Sequence, residues 1–153
     1  MGGEDKSDQG EQLRASCYAS TPDPEVKAKV WDDITNPECK DSLYIKRSKM
    51  GGFYAGDQME IIEPYFDKFY DVLTELHEKY TYKEFDTFFH NMLPRMKIKD
   101  SHIVKLVSLK LQTSDNEQMF ATTLQDGIEI LMRCQAIKAF AVKESQAQAN
   151  VSP

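Results

Sequence analysis

What is scarce in this sequence narrows its possibilities first. Its three cysteines, Cys17, Cys39 and Cys134, stand far apart and form no C-x-x-C pair. An odd, scattered set supplies neither a disulfide framework nor a thiolate zinc site, so all three are expected as reduced, partly buried thiols. No apolar run approaches the roughly 18–20 residues of a membrane span. The opening MGGEDKSDQG has neither the basic flank nor the apolar stretch of a secretory signal, and the expected location is cytoplasmic. The Met-Gly start does not become a myristoylation motif, because Lys6 stands where Ser or Thr is needed and Ser7 comes one place late. Asn150-Val151-Ser152 fits the glycosylation acceptor pattern and, without a secretion signal, is read as chance. A net charge of −6 and a pI near 5.1 remove the general attraction that nucleic acid or an anionic membrane needs. Neither a nucleic-acid partner nor a membrane span is expected.

What is present is ordinary for a soluble chain: 41% hydrophobic and 29% charged residues over 153 positions, enough for one domain and one core. The stretch SKMGGFYAGDQME invites a closer look, since Gly51 and Gly56 have the spacing of a phosphate-binding loop. That loop needs Lys and then Ser or Thr after its second glycine, to reach the phosphates and to hold magnesium. Here Asp57 and Gln58 follow, and an aspartate repels the anion. The glycines are expected instead at a corner. Gly51 and Gly52 would end a helix in left-handed conformation, Gly56 would turn the chain, and Phe53 and Tyr54 would anchor the turn in the core.

Every informative segment has helical periodicity. Ile62, Phe66, Phe69, Leu73, Leu76 and Tyr80 alternate steps of three and four, which sets them on one face of a helix opened by Pro64. Residues 57–62 form its lead-in turn. Thr81 and Glu84 make a capping box for the next helix, which carries Tyr82, Phe85, Phe88, Phe89, Met92 and Leu93 and stops before Pro94. Upstream, Asp23 and Pro24 open a helix carrying Val26, Val30 and Ile34, ended by Asn36 and Pro37. Others are expected from Gln12 to Ala19 and from Ser42 to Met50. Asp100 or Ser101 caps one with Ile103, Val104, Leu106, Val107 and Leu111, and Asp115 opens a last one, to Ala141, with Phe120, Leu124, Ile128 and Leu131. The expected fold is all-α, about seven helices stacked as antiparallel hairpins in a HEAT-like superhelical segment. The helical-repeat domain is set at 10–141, with loose tails at 1–9 and 142–153.

Candidate sites are incomplete. His77-Glu78 begins the zinc-protease pattern H-E-x-x-H, but its fifth residue is Thr81, so the metal lacks its chelate. His90 and His102 are isolated, and each is expected exposed or hydrogen-bonded. The aromatic run Tyr65, Phe66, Phe69, Tyr70, Tyr80, Tyr82, Phe85, Phe88, Phe89 suits either a pocket or, at helical spacing, a core, and the core reading is preferred. The clusters Lys27-Lys29, Lys46-Arg47-Lys49 and Arg95-Lys97-Lys99 are read as solvated faces or loops, the last suited to an acidic partner. No nucleophile–base set and no special carboxylate pair emerges, so no catalytic, cofactor-binding or metal-binding residue is assigned.

Taken in order, TPDPEVKAKVWDDI, MGGFY, QMEIIEPYFDKFYDVL, the helix ending MLPR and the terminal DGIEILMRCQAIKAFA resemble the C-terminal helical domain of the aminopeptidase N family of zinc aminopeptidases, over residues 12–141. The resemblance implies a bowl of helical repeats that covers a catalytic domain and narrows access to its cavity. It implies an enzyme that removes N-terminal amino acids with one zinc, held by H-E-x-x-H and a distal glutamate, and a G-A-M-E-N segment that grips the substrate amine. None of those motifs stands in this sequence, so no catalytic residue carries over, and zinc belongs to a catalytic domain elsewhere. The chain is expected either to be the non-catalytic domain of such a peptidase, whole or as a fragment, or a stand-alone scaffold or assembly subunit holding a protein partner. An apolar patch near Leu13, Ala15, Cys17 and Tyr18 would mark the boundary with the catalytic domain.

Overall fold

The computed structural model describes residues 2–151, with residues 2–7 given by backbone alone. Among the described residues there are eight α-helices, one 3-10 turn and no strand, so the chain is all-α. Where the sequence suggests one domain over 10–141, the structure divides into two compact units, Met1–Leu93 and Pro94–Pro153.

In the first unit, α1 (Gly2–Ala19) precedes α2 (Pro24–Thr35) and α3 (Leu43–Phe53). The Asp23 carboxylate accepts from the Glu25 N–H at the start of α2, and Pro24 occupies the first turn, where its missing N–H costs nothing. Ser42 caps α3 by accepting from the Ile45 N–H. A single-turn α4 (Met59–Ile62) leads into α5 (Pro64–Lys79) through a helical Glu63. The short connection Tyr80-Thr81 then opens α6 (Tyr82–Met92) on the complete Thr81–Glu84 capping box. The second unit holds α7 (Asp100–Gln112), the 3-10 turn (Asp115–Glu117) and α8 (Gln118–Val151). Residues 2–9 and 142–151, parts of the tails expected to be loose, are helical, belonging to α1 and α8. Met1, Ser152 and Pro153, and with Ser152 the end of the Asn150-Val151-Ser152 pattern, lie outside the described residues.

The glycine corner is built differently from the sequence expectation. Gly51 and Gly52 lie inside α3, and neither is left-handed; of the described glycines only Gly56 has a positive φ, +77°. Gly52 is required by space. A Cβ there would stand 2.2 Å from the Ser16 carbonyl oxygen and 3.2 Å from the Ala19 Cβ, so α1 and α3 approach too closely for any side chain. Gly51 has nothing within 4 Å. Phe53, the last residue of the helix, is fully buried, and the hydroxyl of Tyr54 just beyond it donates to the Met92 carbonyl at 3.0 Å.

Close packing of helices leaves C-terminal carbonyls inside, and these recruit donors from other elements. Lys27, with no exposed surface, donates to the carbonyls of Ala19 (2.6 Å) and Phe53 (2.7 Å), the last residues of α1 and α3. Its ammonium thus sits where two helix dipoles end negative, 5.2 Å from the Phe53 ring centre. Gln58 donates to the Ser20 carbonyl, and the Tyr80 hydroxyl closes α2 through the Ile34 carbonyl at 2.8 Å. Lys46 is buried too, donating to the Asn36 carbonyl over the Tyr80 ring. Lys49 joins Asp33 and Asp41. The reading of Lys27, Lys46 and Lys49 as solvated is therefore corrected: a lysine stem buries like an apolar side chain when the ammonium meets carbonyls or carboxylates at its end.

The aromatic run is core. Phe69 stacks on Phe88 at 5.5 Å between centres, Trp31 contacts Phe53, Tyr65 and Phe88, and all eight of Tyr65, Phe66, Phe69, Tyr70, Tyr80, Phe85, Phe88 and Phe89 are buried. The second unit closes on less: Leu106 of α7 meets a stripe of Leu124, Ile128 and Leu131 on α8, beside Thr123 and His102. No helix among the described residues is long and apolar enough to cross a membrane.

Candidate functional site

The three histidines occupy unrelated places. His77 lies in the last turn of α5 with its ring against Phe85, Glu78 beside it is exposed, and Thr81 is committed to capping α6. His90 Nδ1 stands 3.0 Å from an Asp86 carboxylate oxygen one turn earlier in α6. His102 is buried and accepts the Lys99 N–H on Nδ1, so Lys99 holds the N-cap position of α7 rather than Asp100 or Ser101. Among the described residues no group of three or more His, Cys, Asp or Glu is arranged to hold a metal ion. Of the cysteines, Cys17 is exposed, while Cys39 and Cys134 are half-buried.

Exposed apolar positions and clefts remain. On α1, Leu13 and Cys17 are one turn apart on the outward side, with Leu13 66% and the neighbouring Tyr18 38% exposed. Ala15, included in the expected patch, is corrected: it faces inward and is buried, because a two-residue step in a helix crosses to the opposite side. On its other side α1 forms with α3 a cleft of about 150 Å³ lined by Asp8, Glu11, Gln12, Ser42, Tyr44 and Ile45. A larger, polar cleft of about 450 Å³ lies between the end of α2 and α5, with Asp32, Glu38 and Glu75 on its walls and Lys79 tied to Glu75 at 2.6 Å.

No family model and no curated protein matches the chain.

In the second unit α7 has two apolar sides. Leu106 and the half-buried Ile103 turn inward, whereas Val104, Val107 and Leu111, at i, i+3 and i+7, form a stripe 61%, 39% and 81% exposed. A signal for this lay in the sequence, since Ile103, Val104, Leu106 and Val107 are too many for one side of a helix. On α8 every residue from Ala136 to Val151 is exposed, Ile137 and Phe140 among them. Nothing in the sequence marked Lys27 as buried or Gly52 as a point of contact, because both depend on where α1 crosses.

Proposed function

We propose that the chain is the non-catalytic helical part of a zinc aminopeptidase of the aminopeptidase N type, closing the substrate chamber and shaping peptide access. The observation that carries this reading is the outward pair Leu13 and Cys17, one turn apart on α1, with Tyr18 exposed on an adjoining side, a surface of the kind a catalytic domain would cover. Three of the segments that carry the resemblance build the first unit, with Lys27 from TPDPEVKAKVWDDI, Gly52 and Phe53 from MGGFY, and Phe66, Phe69 and Leu73 from QMEIIEPYFDKFYDVL, while DGIEILMRCQAIKAFA lies in α8 of the second. The role is one of walls and gates. His77 and Thr81 do not fit a zinc pair, because the Thr81 hydroxyl accepts the Glu84 N–H and bonds its carboxylate. The metal and the chemistry are assigned to the catalytic portion. A second reading, a stand-alone scaffold for a protein partner, is favoured by the exposed stripe Val104, Val107 and Leu111.

The test adds the purified chain to the catalytic portion of an aminopeptidase N-type enzyme stripped of its own helical part. A one-to-one complex is expected, with hydrolysis of long peptides slowed relative to a single aminoacyl reporter. No complex, or chelator-sensitive release of N-terminal residues by the chain alone, would remove the reading.

A further inference from the structure

From Ala136 to Val151 every residue of α8 is exposed, Ile137 (63%) and Phe140 (66%) among them. A helix of about 15 residues without tertiary support is marginal in water, so a surface that covers this segment would also stabilise it. Within the second unit α7 packs on the other side of α8. The buried Leu131 and the exposed Phe140 are two and a half turns apart by helical spacing, and so stand on opposite sides.

The uncovered side has a symmetric order. Arg133, Ile137, Phe140 and Glu144 follow one another by four, three and four residues, the steps that keep side chains on one face. Two apolar residues stand at the centre, a cation comes one turn before them and an anion one turn after. Read from the other end, the row has the same spacing with its charges exchanged. Neither ionic group is taken up elsewhere: Arg133 and Glu144 make no ion pair or hydrogen bond among the described residues. Within α8, Glu144 has no cation three or four residues away on either side. Lys143 stands about 90° around the helix from the middle of the row, on its rim, and Lys138 lies further round still. A row with this order is complemented in charge and in apolar position by the same row running the other way.

We propose that two copies of this chain pair through α8, antiparallel, about a two-fold axis that passes between Ile137 and Phe140. Ile137 of each copy faces Phe140 of the other, Arg133 of each faces Glu144 of the other, and the symmetry makes each contact twice. Outside the ion pairs the same spacing sets the half-buried Ile130 opposite Ala147, and the overlap runs from Asp126 to Val151. The same patch meets itself, so the contact closes on two copies and does not propagate. It uses no residue of α1 and stands or falls separately from the peptidase reading above.

Sedimentation of the full chain over a range of concentrations tests this without any peptidase. The mean mass is expected to rise from one copy to two and no further. Arg133→Glu or Glu144→Arg sets like charges face to face twice in each pair, and Phe140→Ser removes both central anchors, so each should weaken association about tenfold or more. Arg133→Glu and Glu144→Arg together in one chain should restore it, and an equal mixture of the two single variants should form a mixed pair. Lys138→Glu changes a charge off the row and should leave association unaltered. All these positions are exposed, so helical circular dichroism of the dilute chain should not change. A single-copy mass throughout overturns the proposal, as does growth past two copies. Association that neither single charge reversal weakens overturns it too, since parallel helices or another surface would then make the contact.

Discussion

A Cβ on Gly52 would stand 2.2 Å from the carbonyl oxygen of Ser16, a backbone atom that can yield only if α1 moves. Gly52→Ala should therefore destabilise the first unit by about 2 kcal/mol or more, overpacking outweighing the gain of about 1 kcal/mol in helix propensity. Gly51→Ala, next to it in the same helix with open space around it, should instead stabilise by up to about 1 kcal/mol. Denaturant unfolding of the pair reads both signs, and equal effects would contradict the assigned contact.

Lys27 joins the ends of α1 and α3 as a buried donor to the Ala19 and Phe53 carbonyls. Lys27→Met keeps the stem and removes the ammonium, leaving two buried acceptors short of a donor. The expected loss is roughly 3 kcal/mol, from about 1–3 for each unsatisfied group. Lys29→Met, two residues on and exposed, should stay within about 0.5 kcal/mol. A neutral Lys27→Met would show that the two carbonyls find water instead.

These two cases show what the sequence can and cannot tell. Helix starts were legible because their determinants are local: Asp23 with Pro24, Ser42, and Thr81 with Glu84 cap their helices as the residue types require. The stripe from Ile62 to Tyr80 was legible because helical periodicity follows the buried side. Gly52 and Lys27 were not, since their roles arise from the crossing of segments far apart in sequence. Ala15 was placed on the wrong side by grouping neighbours rather than counting turns. Leu13, Cys17 and Tyr18 were named with Ala15, but which of them are exposed needed the fold. The stripe on α7 escaped because five apolar residues were taken together.

Burial should make stability fall in alkali. Desolvation holds the Tyr54, Tyr70 and Tyr80 hydroxyls well above the usual tyrosine range, aided by Tyr70 at Tyr54, by Asp67 at Tyr70, and by Glu84 and Cys39 at Tyr80. With the folded pKa above the unfolded one, their contribution is complete below about pH 10 and is lost as pH rises beyond it. Lys27 has the opposite sign, its pKa being lowered by burial, so its contribution grows with pH up to the ordinary lysine value and no further. The midpoint of thermal unfolding should therefore drop above about pH 10, and Tyr80→Phe should flatten that drop. Tyr54, Tyr70 and Tyr80 should ionise only on unfolding in an ultraviolet titration, and Tyr65, raised by burial as well, should lag behind the remaining tyrosines. All seven tyrosines ionising together while the chain is still folded would refute the burial argument.

The capping box between α5 and α6 sets a smaller and more local expectation. Thr81→Ala removes the hydroxyl that accepts the Glu84 N–H and should cost about 1 kcal/mol. Thr81→Ser keeps it and should cost less than half as much. The comparison is read by denaturant unfolding, and an equal loss in both would indicate that the Thr81 methyl group matters more than its oxygen.

The outward pair on α1 is the surface on which the functional reading rests, and Cys17 is a reporter already built into it, exposed where Cys39 and Cys134 are half-buried. The decisive measurement is the rate at which a thiol reagent labels each cysteine, with and without the catalytic portion of an aminopeptidase N-type enzyme. Labelling of Cys17 should slow by about tenfold or more in the complex, as expected for a side chain moved to a desolvated interface, while Cys39 and Cys134 keep their rates. A Cys17 that reacts as fast beside the catalytic portion as alone would contradict the assignment.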